Sequence, residues 1–170
     1  TATLTDAAGT DKVIAVDNVA TIALTDTSLT RAGLGTITLS GIEQADLTGG
    51  LGVNAFTVSS WTGTANLAGL AGDDSYAVTL TGGGAGTVTV ADTAGTDTLT
   101  VNGTGVANAF TLTDTAVTLG TEVVNSVVAE IETLTVDGKA GDDTYTVTGV
   151  TRTATLTDAA GTDKVIAVDN

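Results

Sequence analysis

Apolar and polar residues alternate along this chain in short bursts, and the same burst recurs around a fixed glycine. Six segments align on Gly9, Gly52, Gly72, Gly95, Gly141 and Gly161. Seven and five positions before the glycine stand apolar residues, as in Ala65 and Leu67 or Leu134 and Val136. Four and six positions after it stand apolar residues again, as in Tyr76 and Val78 or Leu99 and Val101. A period of two is that of a strand with one face toward a core. Two positions after the glycine comes an acid or amide: Asp11, Asn54, Asp74, Asp97, Asp143 and Asp163. Glycine admits the positive φ of a tight turn, and Asp or Asn closes such a turn by bonding nearby backbone. Each segment therefore predicts strand, turn, strand. One segment cannot bury its own apolar face, whereas stacked copies can.

The aligned glycines lie 43, 20, 23, 46 and 20 residues apart. The two long gaps read as two coils each, because Ile22-Leu24-Asp26-Leu29 and Phe110-Leu112-Asp114-Val117 are matching variants with shorter turns. Each long gap also holds an Ile-Glu pair, Ile42-Glu43 and Ile131-Glu132. Above this short repeat stands a long one. The first eighteen residues return unchanged as Thr153 to Asn170, so the period is 152 residues. The expected organisation is one long tandem repeat over 1–152, with a longer half at 1–86 and a shorter half at 87–152. Residues 153–170 then begin the next, identical repeat. The expected fold class is all-β, a β-solenoid resembling a parallel β-helix or β-roll. It would hold about seven coils of roughly 20 residues and rise about 34 Å per long repeat at the usual strand spacing. A β-sandwich does not require near-constant turn spacing, and a helical array would need apolar residues at helical spacing.

Composition sharpens the picture. The chain lacks Cys, Met, Pro and His, which removes a disulfide framework and the usual zinc and copper ligands. Hydrophobic content of 42% argues against disorder in spite of a net charge of −15. Five basic residues against twenty acidic ones repel phosphate, so nucleic acid is excluded as a partner and divalent cations are favoured. No apolar run of about eighteen residues is present, and no membrane span is expected. The lack of oxidation-prone Cys and Met points to the cell surface or the extracellular space.

The turns carry a resemblance. Residues Gly49-Gly50-Leu51-Gly52-Val53-Asn54-Ala55-Phe56-Thr57 read on the nonapeptide G-G-x-G-x-D-x-U-x, with Asn for Asp. Those from Gly69 to Ala77 and from Gly138 to Thr146 keep all of it but the second glycine. These segments resemble the hemolysin-type (RTX) calcium-binding repeats of long secreted or adhesin-like bacterial proteins. The resemblance implies calcium held by turn carboxylates and carbonyls, with Asp73, Asp74, Asp142 and Asp143 as ligands. It extends less directly to Asp97, Asp11 and Asp163, whose turns begin with Asp instead of Gly, and to Asn54. Each coil here carries one such turn, whereas RTX coils carry two. Without a metal, the same residues simply close turns.

The expected function is structural: a filament or stalk segment whose partners are further copies of itself. Two alternatives stand beside it. Outward Thr-x-Thr pairs, such as Thr98 and Thr100, suit an ice- or surface-binding adhesin. A β-helix enzyme acting on polysaccharide would need basic groups beside acids, but Lys12, Arg31, Lys139, Arg152 and Lys164 are scattered, and no catalytic residue is expected. Asn102-Gly103-Thr104 is a glycosylation sequon, and Trp61 is expected to serve packing.

Overall fold

A computed structural model describes residues 2–127 and 129–168, and every regular element in them is a strand. In the first half run β1 (Ala2–Thr5), β2 (Lys12–Val16), β3 (Thr21–Thr25), β4 (Ser28–Arg31), β5 (Gly35–Ser40), β6 (Gln44–Thr48), β7 (Ala55–Ser59), β8 (Thr64–Ala68) and β9 (Ser75–Thr79). The second half and the returning segment supply β10 (Thr87–Ala91), β11 (Thr98–Asn102), β12 (Ala109–Leu112), β13 (Ala116–Leu119), β14 (Glu122–Ser126), β15 (Thr133–Asp137), β16 (Thr144–Thr148), β17 (Thr153–Thr157) and β18 (Lys164–Val168). They form two mixed nine-stranded sheets. The first runs β1-β5-β4-β3-β7-β9-β11-β15-β17, and the second β2-β6-β8-β10-β14-β13-β12-β16-β18.

Outside two exceptions the chain alternates between the sheets, and each strand pairs in parallel with its neighbours of the same sheet. The register stacks like on like. Val58, Val78, Val101 and Val136 form one file, and Leu47, Leu67 and Val90 another. All are buried. Burial alternates along the strands, as in β9, where Tyr76 and Val78 point inward and Ser75 and Thr79 outward. The aromatic rings follow the same rule: Phe56 stacks on Tyr76 with centroids 5.1 Å apart, and Phe110 on Tyr145 at 5.4 Å. Trp61 is buried in this core.

The exceptions are the long gaps. Their spacing predicts two further parallel coils; the chain instead folds back on itself. Strands β3, β4 and β5 form an antiparallel meander in the first sheet, and β12, β13 and β14 form one in the second. The physical reason is the turn. Only Asp26 and Thr27 lie between β3 and β4, and two residues make a hairpin but cannot cross to another sheet. Asp26 then accepts the N–H of Thr62 at 2.7 Å, and Asp114 in the other meander accepts that of Thr151 at 2.5 Å.

Strands β1–β9 contribute six members to the first sheet and three to the second, because the meander adds two rows to one side. Strands β10–β16 reverse this, with five in the second sheet and two in the first. The two copies of the eighteen-residue segment consequently lie at opposite edges: β1 and β17 in the first sheet, β2 and β18 in the second. They are eight rows apart in both sheets, about 38 Å at the usual strand spacing. No helix among the described residues is long and apolar enough to cross a membrane.

Two acid-lined turn columns as a candidate cation site

Five of the six glycine-motif turns, together with the variant turn 103–108, stack along the sheet axis in two columns. One consists of 49–54, 69–74 and 92–97, the other of 103–108, 138–143 and 158–163. Each turn is tied to the next by a carboxylate reaching back one row. The Asn54 N–H donates to Asp74 Oδ1 at 2.6 Å, that of Asp74 to Asp97 Oδ1 at 2.7 Å, and that of Asp97 to Glu132 Oε2 at 2.7 Å. In the second column the Asn108 N–H donates to Asp143 Oδ1 at 2.6 Å, and that of Asp143 to Asp163 Oδ1 at 3.0 Å. In the first copy of that last turn, at the opposite edge, the Asp11 N–H donates to Glu43 Oε2 at 3.0 Å. Both Ile-Glu pairs thus set a glutamate on a turn of this kind.

One oxygen of Asp74 and one of Asp143 is used in this way. The other, Oδ2 in each, has no hydrogen-bond partner although both residues are only 1% exposed. A buried carboxylate oxygen without a partner is costly. Around it gather more acids. Carboxylate oxygens of Asp74, Asp92 and Asp97 lie within 4.8 Å of one another, as do those of Asp143, Asp158 and Asp163. The Tyr76 hydroxyl donates to Asp92 Oδ2 at 2.5 Å while accepting the Gly69 N–H at 2.7 Å. The Tyr145 hydroxyl accepts the Gly138 N–H at 3.0 Å and donates to the Thr157 carbonyl at 3.0 Å, with Asp158 Oδ2 at 3.4 Å. Space is the reason for glycine here. A Cβ at Gly69 would collide with Asp74 Oδ2, Asp92 Oδ2 and the Tyr76 hydroxyl, and one at Gly138 with their counterparts.

Protons respond to this crowding. Burial, reinforced by the Asp92 and Asp97 charges, pushes the Asp74 carboxyl up to about 6. Burial and Asp158 do the same to Asp143, also to about 6. Asp158 is held below the usual carboxylate range, first by the Asp143 carboxyl beside it. Burial raises Asp97, and it pushes the Tyr145 hydroxyl up to about 12. Glu122 offers a contrast. It is 2% exposed, yet it accepts the N–H groups of Thr81 and Gly82 and the Thr81 hydroxyl, so its burial leaves no oxygen wanting.

Such a cluster can do two things: retain a proton near neutral pH or take up a cation. Calcium takes about six to eight oxygen ligands. The residues present fit a hard cation, since each cluster offers three carboxylates and a hydroxyl around an oxygen that nothing else satisfies. Of the residues singled out in the sequence, Asp74 and Asp97 come together in one cluster, and Asp143 and Asp163 in the other. Asp73 and Asp142 lie outside both; they accept the N–H groups of Thr96 and Thr162, each at 2.9 Å. Asn54 closes its turn, accepting the Gly50 N–H at 2.8 Å and donating to the Val19 carbonyl at 2.8 Å. Asp11 is the counterpart of Asp163 at the opposite edge, outside either cluster. The motif reading passes over Asp92 and Asp158 as departures in turn position and Tyr76 and Tyr145 as core. The signal for them is the Asp in the glycine's place one row beyond a Gly…Tyr turn.

Comparison with known proteins finds no matching family model, curated protein or solved structure.

Proposed function

We propose that this chain is one unit of a structural, extracellular filament or stalk, a β-solenoid of tandem 152-residue repeats stabilised by cations in its acid clusters. The observation that carries this reading is the placement of the repeated segment. Its two copies lie eight rows apart in both sheets and pair with different neighbours, β1 with β5 and β17 with β15. The next repeat therefore continues both sheets in step, without a change of register. Calcium is the preferred cation because the donors are all oxygens, and the net charge of −15 favours any divalent ion. The filament works through continuous ladders and a narrow apolar core, with surface charge keeping fibres apart. No step of catalysis enters this role.

Imaging of the native material tests it. Unbranched fibres with an axial repeat near 38 Å by strand spacing are expected. Compact particles without an axial repeat would overturn the filament. A chelator that leaves fibre stability unchanged would remove the cation and leave the filament.

A second reading, adhesion to ice or another ordered surface, gains from one observation. Read after each turn glycine, the Thr pairs are Thr98 and Thr100 in the first sheet and Thr144 and Thr146 in the second, and the ladder looks broken. On the first sheet alone, Thr98 and Thr100 of β11 stand beside Thr133 and Thr135 of β15, and these beside Thr153 and Thr155 of β17. Three successive rows thus present Thr-x-Thr in register. Ice-growth inhibition that is lost on replacing Thr100 and Thr135 by Lys would favour this reading. Its absence from the unsubstituted chain would sink it.

A further inference from the structure

One wall of the outer acid cluster is a turn that the chain contains twice. Residues 158–163 repeat 6–11 without a change, and the two copies show opposite sides of that turn. The later copy shows the side toward the cluster, where the Asp143 N–H donates to Asp163 Oδ1 and the Tyr145 hydroxyl lies 3.4 Å from Asp158 Oδ2. The earlier copy shows the other side. There the Asp11 N–H donates to Glu43 Oε2 at 3.0 Å, and the Asp11 carbonyl accepts the N–H groups of Glu43 and Gln44 at 3.1 and 2.9 Å. The Asp6 N–H donates to the Ser40 carbonyl at 3.0 Å, and Gly41 lies so close to the Asp6 carbonyl that a Cβ would collide with it.

The inner cluster shows what such a roof does. Its Asp97 N–H donates to Glu132 Oε2 at 2.7 Å, and the Asp97 carbonyl accepts the Thr133 N–H at 3.2 Å. Ile131-Glu132-Thr133 and Ile42-Glu43-Gln44 are thus seated on their turns by the same two bonds. The roofed Asp92 and Asp97 are 3% and 2% exposed, whereas Asp158 is half-buried and Asp163 exposed.

Resting on the tandem-repeat reading, we infer that residues 40–44 of the following repeat complete the outer cluster as a second cation site, equal to the inner one. Glu43 of that repeat accepts the Asp163 N–H, its Gln44 N–H donates to the Asp163 carbonyl, and Lys164 reaches its Asp46 as Lys12 does here at 2.8 Å. This closes Asp158 and Asp163 off from water beside Asp143 Oδ2, the buried oxygen without a partner. Loss of water lowers the local dielectric, which strengthens the pull of the carboxylates on a cation and raises the cost of leaving them bare. The ligand is a hard divalent cation, calcium first, because every donor is an oxygen. Each period then holds two equal sites. One lies where the chain passes from the second sheet to the first, the other where it passes back. The first is built within a repeat, and the second needs two, so calcium ties neighbouring repeats together.

Calcium titration calorimetry on this chain and on a chain of two successive repeats tests the inference. This chain has one roofed cluster, and the two-repeat chain would have three. The number of tight sites is therefore expected to rise from one to three. A rise from one to two overturns completion and leaves the filament with its inner sites. Two tight sites already in this chain overturn it as well, since the outer cluster would then need no roof. No tight site in either chain removes the cation and the inference together. Glu43→Ala confined to the second repeat is expected to weaken the middle site by about tenfold and to spare the other two, as loss of an outer-shell partner does. Three unaltered affinities in that variant would take Glu43 out of the site and overturn its completion. The tandem reading has its own check: in chelator, stacked repeats should raise the urea midpoint of the two-repeat chain above that of this chain. An unchanged midpoint would sink that reading, whatever the calcium count.

Discussion

The two acid clusters are built from the same residues, yet they differ in completeness. In the inner one, Asp74, Asp92 and Asp97 are all buried, and Tyr76 donates to Asp92. In the outer one only Asp143 is buried; Asp158 is half-buried, Asp163 is exposed, and Tyr145 turns to the Thr157 carbonyl instead. The difference is one row of strands: the inner cluster is roofed by β15 beyond β11, and the outer one lies against the last row. Burial of these carboxylates is thus a property of the stack more than of the turn that carries them.

The strongest way to break the comparison is to fill the space. Gly69→Ala is expected to cost about 3 kcal/mol, at the upper end for overpacking, because three buried oxygens surround the new methyl. Gly138→Ala should cost less, since Asp158 can move toward solvent. Urea midpoints of the two variants measure the gap, and equal losses would mean that the outer cluster is as rigid as the inner.

Next comes charge. Asp74→Asn keeps the acceptor for the Asn54 N–H and turns the partnerless oxygen into a donor toward Asp92. In chelator at pH 7 it should stabilise the chain by on the order of 1–3 kcal/mol. It should also abolish most of any rise in melting temperature produced by calcium. Asp143→Asn should do both more weakly. A calcium response untouched by either substitution would remove the clusters as cation sites.

The pH dependence follows from the same groups. Asp74 and Asp143 have folded values of about 6, above the ordinary carboxylate value of 3.8. Between those limits the folded chain holds protons that the unfolded chain has released, so stability falls as pH rises. In chelator, stability should therefore increase by about 1 kcal/mol per cluster from pH 7 to pH 5. With saturating calcium the sign should reverse, because protons compete with the ion. Urea titrations at both pH values decide it.

The smallest effect concerns backbone. Leu70 and Lys139 open the middle turns of the two columns with φ of +82° and +77°, where non-glycine residues are strained. Lys139→Gly should stabilise by up to about 1 kcal/mol, less what its exposed ion pair with Asp137 contributes. Leu70→Gly tests the inner column, where the half-buried leucine offsets more of the gain.

Much of the fold was legible because it rests on local pattern. Strand positions, inward residues and turn glycines follow from a period of two around each glycine, and a two-fold alternation leaves little choice. Which sheet a strand joins is a different kind of fact. The links at Asp26 and Asp114 are too short to cross between the sheets, but that shortness shows only once the ends of the flanking strands are placed, and the apolar pattern does not mark those ends. The site was half legible. Asp74 and Asp143 belong to the motif, whereas Asp92 lies over Gly69 from the next row, and pairing across 23 residues is invisible to a local window. Ile42-Glu43 and Ile131-Glu132 could be seen to recur, but their seat on the turns needed the row order.

The unequal division of strands sets a rule of length. Each half-repeat, taken alone, leaves one sheet three rows taller than the other, about 14 Å of unmatched ladder. The imbalance changes side with every half. A fibre that gained or lost a half-repeat by recombination would end in a step, with the face of one sheet uncovered, whereas whole repeats end flush. In the proposed array, growth and shrinkage would therefore go in whole units of 152 residues.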